Sequence, residues 1–155
     1  SETKPAILRA LDALSGACLN LMGRNRNALK DKAAQLQLWD ARPDRDGKVQ
    51  QYLIEPSLAG TAAGNRTLSD TKAEYGYIIQ SRSGHHTNNV VLAAGFWIKP
   101  RDRQDAALVH EVLHVFFDEG DDQLARRLGI YKSGDSSSAR ITDFIDGECD
   151  QSKFK

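Results

Sequence analysis

The run of residues 106–117 is the sequence feature that most constrains how this chain can fold. Its apolar residues surround a helix on most sides instead of forming one stripe, which is typical of a helix buried all round. Three polar residues interrupt the run, His110, Glu111 and His114. Because residues four apart lie one turn above each other, both imidazoles project from one helix face with Glu111 beside them. The sequence therefore predicts a central buried helix with apolar contacts from Ala106, Leu108, Val109, Val112, Leu113, Val115 and Phe116.

These three polar residues form the string HExxH, which on a helix is the zinc-binding signature of metallopeptidases. A buried carboxylate without a partner costs several kcal/mol, whereas a divalent cation would satisfy all three polar groups together. We therefore expect Zn²⁺ as cofactor, with His110 and His114 as metal ligands and Glu111 as the catalytic base. The alternative is a structural helix whose two histidines hydrogen-bond to neighbouring groups.

A third zinc ligand is expected shortly after this helix. If the helix simply continued, an acid seven residues beyond His114 would lie about 10 Å farther along the axis and miss the metal. Gly120 is suited to a left-handed carboxyl cap that would end the helix and let the chain turn back. Asp121 and Asp122 are then the candidate metal ligands, with Asp121 preferred. The other aspartate could cap the next predicted helix, 123–128.

The remaining pattern predicts an α+β domain, in which a small antiparallel or mixed sheet packs on the central helix with flanking helices. We treat residues 1–155 as one domain, with a helical amino-terminal part over 1–45 and a catalytic core over 88–149. The predicted elements are helices over 5–22 and 27–39, strands over 49–54, 75–81 and 90–98, a surface loop over 56–70, and a central helix starting at 102 or 103.

Charge and hydropathy exclude several classes of partner. The 21 basic and 21 acidic residues cancel, so the basic surface that nucleic acid or an anionic membrane would require is missing. No apolar stretch approaches the length of a membrane span, and the first residues lack the features of a signal peptide. We expect a soluble chain that binds neither nucleic acid nor membrane.

The two cysteines lie far apart, near opposite ends of the chain. Their number and spacing do not match a four-cysteine zinc site, so they are not expected to bind the metal. Cys18 and Cys149 either form a disulfide between the first and last helices or remain two separate buried thiols. The spacing alone does not choose between these alternatives.

The carboxyl-terminal half resembles a known group of metallopeptidases. HExxH is followed within eight residues by an aspartate that opens a helix ending in Leu128-Gly129, and a short helix over 140–148 precedes Cys149. Together with the apolar strand before HExxH, this pattern over 88–149 resembles small zincins with an aspartate as third ligand. These include aspzincin-like metallopeptidases and toxin domains of bacterial Rhs-type and type VI secreted effectors.

The resemblance implies a zincin-like fold and a secreted or secretion-system-delivered toxin that hydrolyses peptide bonds, with a possible cognate immunity or inhibitor protein. Glu111 would take a proton from the zinc-activated water and pass it to the leaving amine. Tyr131 is the first candidate for a second oxyanion donor, followed by His85, His86, Tyr75 and Tyr77. The alternatives are a zinc amidase acting on cell-wall peptides and a non-catalytic zincin-fold binding domain. We also expect the predicted strand over 90–98 to offer its edge to an extended peptide.

Overall fold

The computed structural model describes residues 3–23, 26–40, 52–53, 76–80, 85–92 and 94–154. The described residues form seven α-helices, four strands and a final 3₁₀ helix over Gln151–Phe154. The helices are α1 (Thr3–Asp12), α2 (Gly16–Met22), α3 (Arg26–Ala34), α4 (Ala94–Trp97), α5 (Arg101–Phe117), α6 (Asp121–Arg127) and α7 (Ser137–Asp146). The strands are β1 (Gln37–Asp40), β2 (Tyr52–Leu53), β3 (Gly76–Gln80) and β4 (His86–Leu92).

The described strands form one sheet in the order β2-β1-β4-β3. Its central pair, β1 and β4, is parallel, whereas β2 pairs with β1 and β3 pairs with β4 in antiparallel fashion. The α+β class is therefore confirmed, and the purely antiparallel alternative is wrong. The parallel pairing is possible because a long stretch of chain separates β1 from β4, as a parallel connection requires.

Helix α5 runs through the centre of the domain, as its sequence predicts. Every residue from Ala106 to Val115 is buried, including its three polar residues. The helix contacts α1 and α3, α6 and α7, and strands β3 and β4. This surrounding layer explains why no face of α5 carries a polar stripe, and it closes one continuous apolar core around the HExxH segment.

The single helix predicted over 5–22 is in fact two helices. Helix α1 ends at Asp12, and Ser15 begins α2 by accepting a hydrogen bond from the Cys18 backbone N–H at 3.1 Å. The Leu14 carbonyl between them accepts a hydrogen bond from the Arg26 guanidinium at 2.7 Å. The apolar spacing continues across this break, so periodicity alone could not reveal it, whereas the serine cap satisfies the new helix start.

The second predicted helix, 27–39, is also too long. Helix α3 ends at Ala34, and residues 37–40 form β1, so the amino-terminal part is not entirely helical. Leu38 and Trp39 are buried beside β4, and the Trp39 indole N–H donates to the Asn89 side-chain oxygen at 3.1 Å. Pairing with a distant strand has overridden the local helical pattern at this point.

The strand predicted over 90–98 is displaced toward the amino terminus. Strand β4 spans His86–Leu92, and Ala94–Trp97 form the short helix α4 before α5 begins at Arg101. Both edges of β4 are paired, with β1 and with β3, so it cannot receive a peptide by strand addition. Strands β2 and β3 lie within the predicted ranges 49–54 and 75–81, whereas the predicted loop over 56–70 lies outside the described residues.

The break after α5 occurs two residues before the predicted position. Asp118, not Gly120, adopts the left-handed conformation, with φ of 53°, and its backbone N–H donates to the His114 carbonyl. Aspartate is one of the few non-glycine residues that tolerate this region. Gly120 instead has an extended backbone and precedes α6, which begins at Asp121 and not at Gln123.

Cys18 and Cys149 form a disulfide that joins α2 to the segment after α7. Their Cα atoms lie 5.2 Å apart, and both residues are buried. The two alternatives left by the sequence are thereby resolved in favour of the cross-link.

None of the helices that the structure describes combines the length and apolar character needed to cross a bilayer.

Candidate metal centre

Three polar side chains from two helices converge on one point in the described structure. His110 and His114 project from successive turns of α5, and Asp121 is the first residue of α6. One potential ligand atom from each lies within 4.8 Å of the others. The left-handed turn at Asp118 makes this possible, because it reverses the chain and brings the start of α6 back to the histidine face.

The aspartate lies between the two imidazoles. Its Oδ1 atom is 3.1 Å from Nε2 of His110 and 2.8 Å from Nε2 of His114. Around a tetrahedral zinc with bonds of about 2.0–2.2 Å, neighbouring ligand atoms stand roughly 3.3 Å apart. The two separations from the carboxylate oxygen are therefore close to those in a zinc ligand set, and the donor chemistry, two imidazoles and one carboxylate, fits that metal.

Each histidine is oriented by a second contact at its other ring nitrogen. Nδ1 of His114 lies 2.7 Å from the Glu119 carbonyl, which can only accept, so this nitrogen carries a proton. Nδ1 of His110 lies 3.0 Å from the hydroxyl of buried Thr142 on α7. Such contacts direct Nε2 of metal-binding histidines toward the ion. Neither partner could be identified from the sequence, because Thr142 lies 32 residues away and the Glu119 contact uses a main-chain oxygen.

Glu111 is the one buried carboxylate of the described core, and it lies beside this cluster. Only 5% of the residue is exposed, and among the described residues its Oε2 atom has no hydrogen-bond partner. Burial raises the pKa of Glu111, while the charges of His110 and His114 oppose that increase. A buried acceptor without a partner needs a bound group to compensate its loss of solvation. Water held at a neighbouring cation would provide that group.

The electrostatics of the cluster also favour a cation. Burial alone would lower the pKa of His114, but the hydrogen bond to Asp121 and the nearby Glu111 carboxylate raise it to about 9. Burial similarly opposes ionisation of Asp121, yet its hydrogen bonds to both histidines hold the pKa of this carboxyl well below its usual value. Without metal, a proton on His114 occupies the place that a cation would take.

Two other predicted site residues lie apart from the cluster. Asp122 accepts a hydrogen bond from the Ser137 hydroxyl at 2.5 Å, which ties the start of α6 to α7. The ring of Tyr131 is partly exposed and lies 4.0 Å beneath the Arg126 guanidinium. Among the described residues, no hydrogen bond joins the Tyr131 hydroxyl to the histidines. Its role as an oxyanion donor stays a prediction.

Of the remaining donor candidates, His86 contacts a residue of the site. Its ring stacks on that of His114, with 5.6 Å between ring centroids and 7° between ring planes. Asp118 lies 2.9 Å from Nδ1 of His86 and 2.6 Å from Nδ1 of His85. A carboxylate can only accept, so both Nδ1 atoms are protonated. Tyr77 contributes backbone to β3, and Tyr75 lies outside the described residues.

His85 and His86 are neighbours in sequence but lie in different environments. His85 is largely exposed, but His86 begins β4 and only 7% of its side chain is exposed. Strand pairing with β3 draws His86 inward, which its polar neighbours in sequence do not indicate.

Comparisons with protein-family models, curated proteins and solved structures found no match to this chain.

Proposed function

We propose that this chain is a zinc metallopeptidase in which His110, His114 and Asp121 bind the metal. The observation that carries the proposal is the convergence of two Nε2 atoms and one carboxylate oxygen beside a buried glutamate oxygen that has no hydrogen-bond partner among the described residues. Metallopeptidase sites combine three protein ligands with an adjacent carboxylate base. The zincin-like fold is part of this proposal and is supported by the buried HExxH helix next to a small sheet.

Zinc and Glu111 would have separate roles in the proposed reaction. Zinc, when bound, would make water acidic enough to be deprotonated near neutral pH and would polarise the substrate carbonyl. Glu111 would accept the proton of the attacking water on Oε2 and later donate it to the leaving amine. The raised pKa of Glu111 suits the first step, because the conjugate base of a weaker acid is a better proton acceptor.

The decisive experiment compares metal content and proteolysis in four proteins. We expect the wild type to bind one zinc and to cleave an unfolded protein such as casein in a chelator-sensitive manner. Glu111→Gln should keep zinc and lose about 10²–10⁴-fold in rate, since it removes the general base. Asp121→Ala should lose zinc, whereas the matched control Asp122→Ala should keep it, because Asp122 bonds Ser137 instead.

The same proteins discriminate between the possible substrates. Cleavage of casein supports an endopeptidase, whereas release of stem peptides from peptidoglycan without casein cleavage would point to a cell-wall amidase. A wild-type protein that neither contains zinc nor gains it on soaking would refute the metal site. Bound zinc with no turnover of either substrate would leave a non-catalytic binding domain.

We further propose that the domain acts as a secreted toxin or effector that an immunity protein counters in the producing cell. The Cys18–Cys149 disulfide supports this part of the proposal, since such cross-links persist mainly in oxidising environments. Growth inhibition when the wild-type domain is sent to the periplasm or to a target cell, but not with Glu111→Gln, would test it.

A further inference from the structure

The start of β4 is fastened to the end of the metal-binding helix by one carboxylate. Oδ1 of Asp118 accepts hydrogen bonds from the His86 backbone N–H at 2.7 Å and from Nδ1 of the same residue at 2.9 Å. Oδ2 of Asp118 bonds Nδ1 of His85 at 2.6 Å. The backbone hydrogen bond from His86 and the two imidazoles together hold the pKa of Asp118 far below its usual value.

This attachment places the His86 ring against a proposed zinc ligand. The rings of His86 and His114 are nearly parallel, and the side chain of His86 is almost fully buried. His114 is thus constrained in three ways: Glu119 at Nδ1, Asp121 at Nε2, and His86 on one ring face. The contacts with Glu119 and Asp121 fix the directions of the two ring nitrogens. The contact with His86 limits tilting of the His114 ring out of its plane.

We propose that His86, held by Asp118, is a positioning residue that fixes the plane of the His114 imidazole for metal binding. This inference rests on the proposed zinc site, since it assigns His86 a role in shaping that site and not in contacting the ion. His86 is not part of the group of donor atoms that lie within 4.8 Å of one another. Neither its net charge nor a proton transfer is required for the role.

His85 provides a matched control within the same attachment. Both histidines bond Asp118 through Nδ1, but 71% of the His85 side chain is exposed, compared with 7% for His86. The ring that stacks on His114 is that of His86. A loss of affinity caused by weakening the Asp118 attachment should therefore appear in both alanine variants, whereas a loss caused by the missing ring contact should appear in His86→Ala alone.

The test measures zinc affinity by competition with a chromophoric chelator, and ligand geometry by the visible spectrum of the Co²⁺-substituted protein. We expect His86→Ala to bind zinc about 10-fold more weakly, the lower end of the effect seen for residues that orient metal ligands. Its Co²⁺ spectrum should change in position or intensity. His85→Ala should match the wild type in both measurements, and His86→Phe should recover affinity by restoring a flat ring.

Zinc affinity and a Co²⁺ spectrum of His86→Ala equal to those of the wild type would overturn the inference. Equal losses in His85→Ala and His86→Ala would also overturn it, by assigning the effect to the attachment. If His86→Ala does not fold, His86→Leu decides, because leucine fills much of the same space but lacks a flat ring and leaves Asp118 unchanged. Weaker binding then supports the inference, and unchanged binding and spectrum refute it. Failure of the wild type to bind zinc would instead refute the proposed function.

Discussion

At the scale of single residues, the polar groups of the candidate centre are organised in pairs. The Nε2 atoms of His110 and His114 meet Asp121, while their Nδ1 atoms meet Thr142 and the Glu119 carbonyl. Every ring nitrogen of the two histidines therefore has a defined neighbour. Such an arrangement reduces the reorganisation needed when a cation replaces a proton between these side chains.

Thr142 should influence metal binding without touching the metal. Replacing it with valine removes the hydroxyl that bonds Nδ1 of His110 at 3.0 Å and leaves that ring free to change tautomer. We expect Thr142→Val to weaken zinc binding about 10-fold. Competition titration measures this effect, and Thr142→Ser, which keeps the hydroxyl, should bind as the wild type does. Equal affinities for the valine and serine variants would contradict the prediction.

The raised pKa of His114 predicts how the stability of the metal-free protein depends on pH. Folding raises this pKa from the ordinary 6.5 to about 9, so the folded state favours the protonated ring. The resulting stabilisation is fully present below pH 6.5 and is lost as the pH rises through 9. Chelator-treated protein should therefore show a Tm that falls across this window. His114→Ala should reduce this dependence of Tm on pH. A wild-type Tm that stays constant between pH 6.5 and 9 would contradict the prediction.

At the scale of elements, short capping interactions decide where helices begin. Ser15 caps the start of α2 by accepting a hydrogen bond from the Cys18 backbone N–H, which separates this helix from α1. Ser136 caps the start of α7 in the same way, by accepting a hydrogen bond from the Ala139 backbone N–H. The left-handed Asp118 ends α5 and directs α6 toward the histidines. These single residues set the boundaries that place the candidate ligands together.

Removing the cap of α2 should destabilise the fold without affecting the metal centre. Ser15→Ala deletes the side-chain acceptor for the Cys18 N–H, and we expect a loss of about 1 kcal/mol in the free energy of unfolding. Ser15→Asp should retain most of the stability, since aspartate is an equally good cap. Chemical denaturation monitored by circular dichroism provides the measurement. A Ser15→Ala protein as stable as the wild type would show that the break between the helices has another cause.

At the scale of the whole molecule, the disulfide connects the two ends of the described chain. Cys18 and Cys149 are 131 residues apart, so their bond restricts a very long loop in the unfolded state. It also fastens α2 to the segment that follows α7, the helix that supplies Thr142. The fold and the candidate site are thus linked through α7.

Loss of this cross-link should cost about 3–5 kcal/mol in the free energy of unfolding, as expected for a long loop. The double variant Cys18→Ala/Cys149→Ala should unfold at lower denaturant concentration than the oxidised wild type. Adding a reductant should lower the stability of the wild type toward that of the variant and leave the variant unchanged. If reduction leaves the wild-type transition in place, the disulfide does not stabilise this fold.

The sequence by itself determined the features that depend on residues within a few helical turns. The buried helix α5, the common face of His110 and His114, and the return of an aspartate after a helix break all follow from local periodicity and turn chemistry. The position of that break was missed by two residues, because Asp118 adopts the conformation expected of Gly120.

Only the tertiary structure decided the contacts between segments that are distant in sequence. It placed Asp121, and not Asp122, between the histidines, paired Thr142 with His110, brought His86 against His114, and joined Cys18 to Cys149. It also turned Gln37–Asp40 into a strand parallel to β4 despite a helical pattern. Local patterns encode which face of an element is apolar, whereas these contacts depend on how packed elements are oriented, which becomes defined only when the core forms.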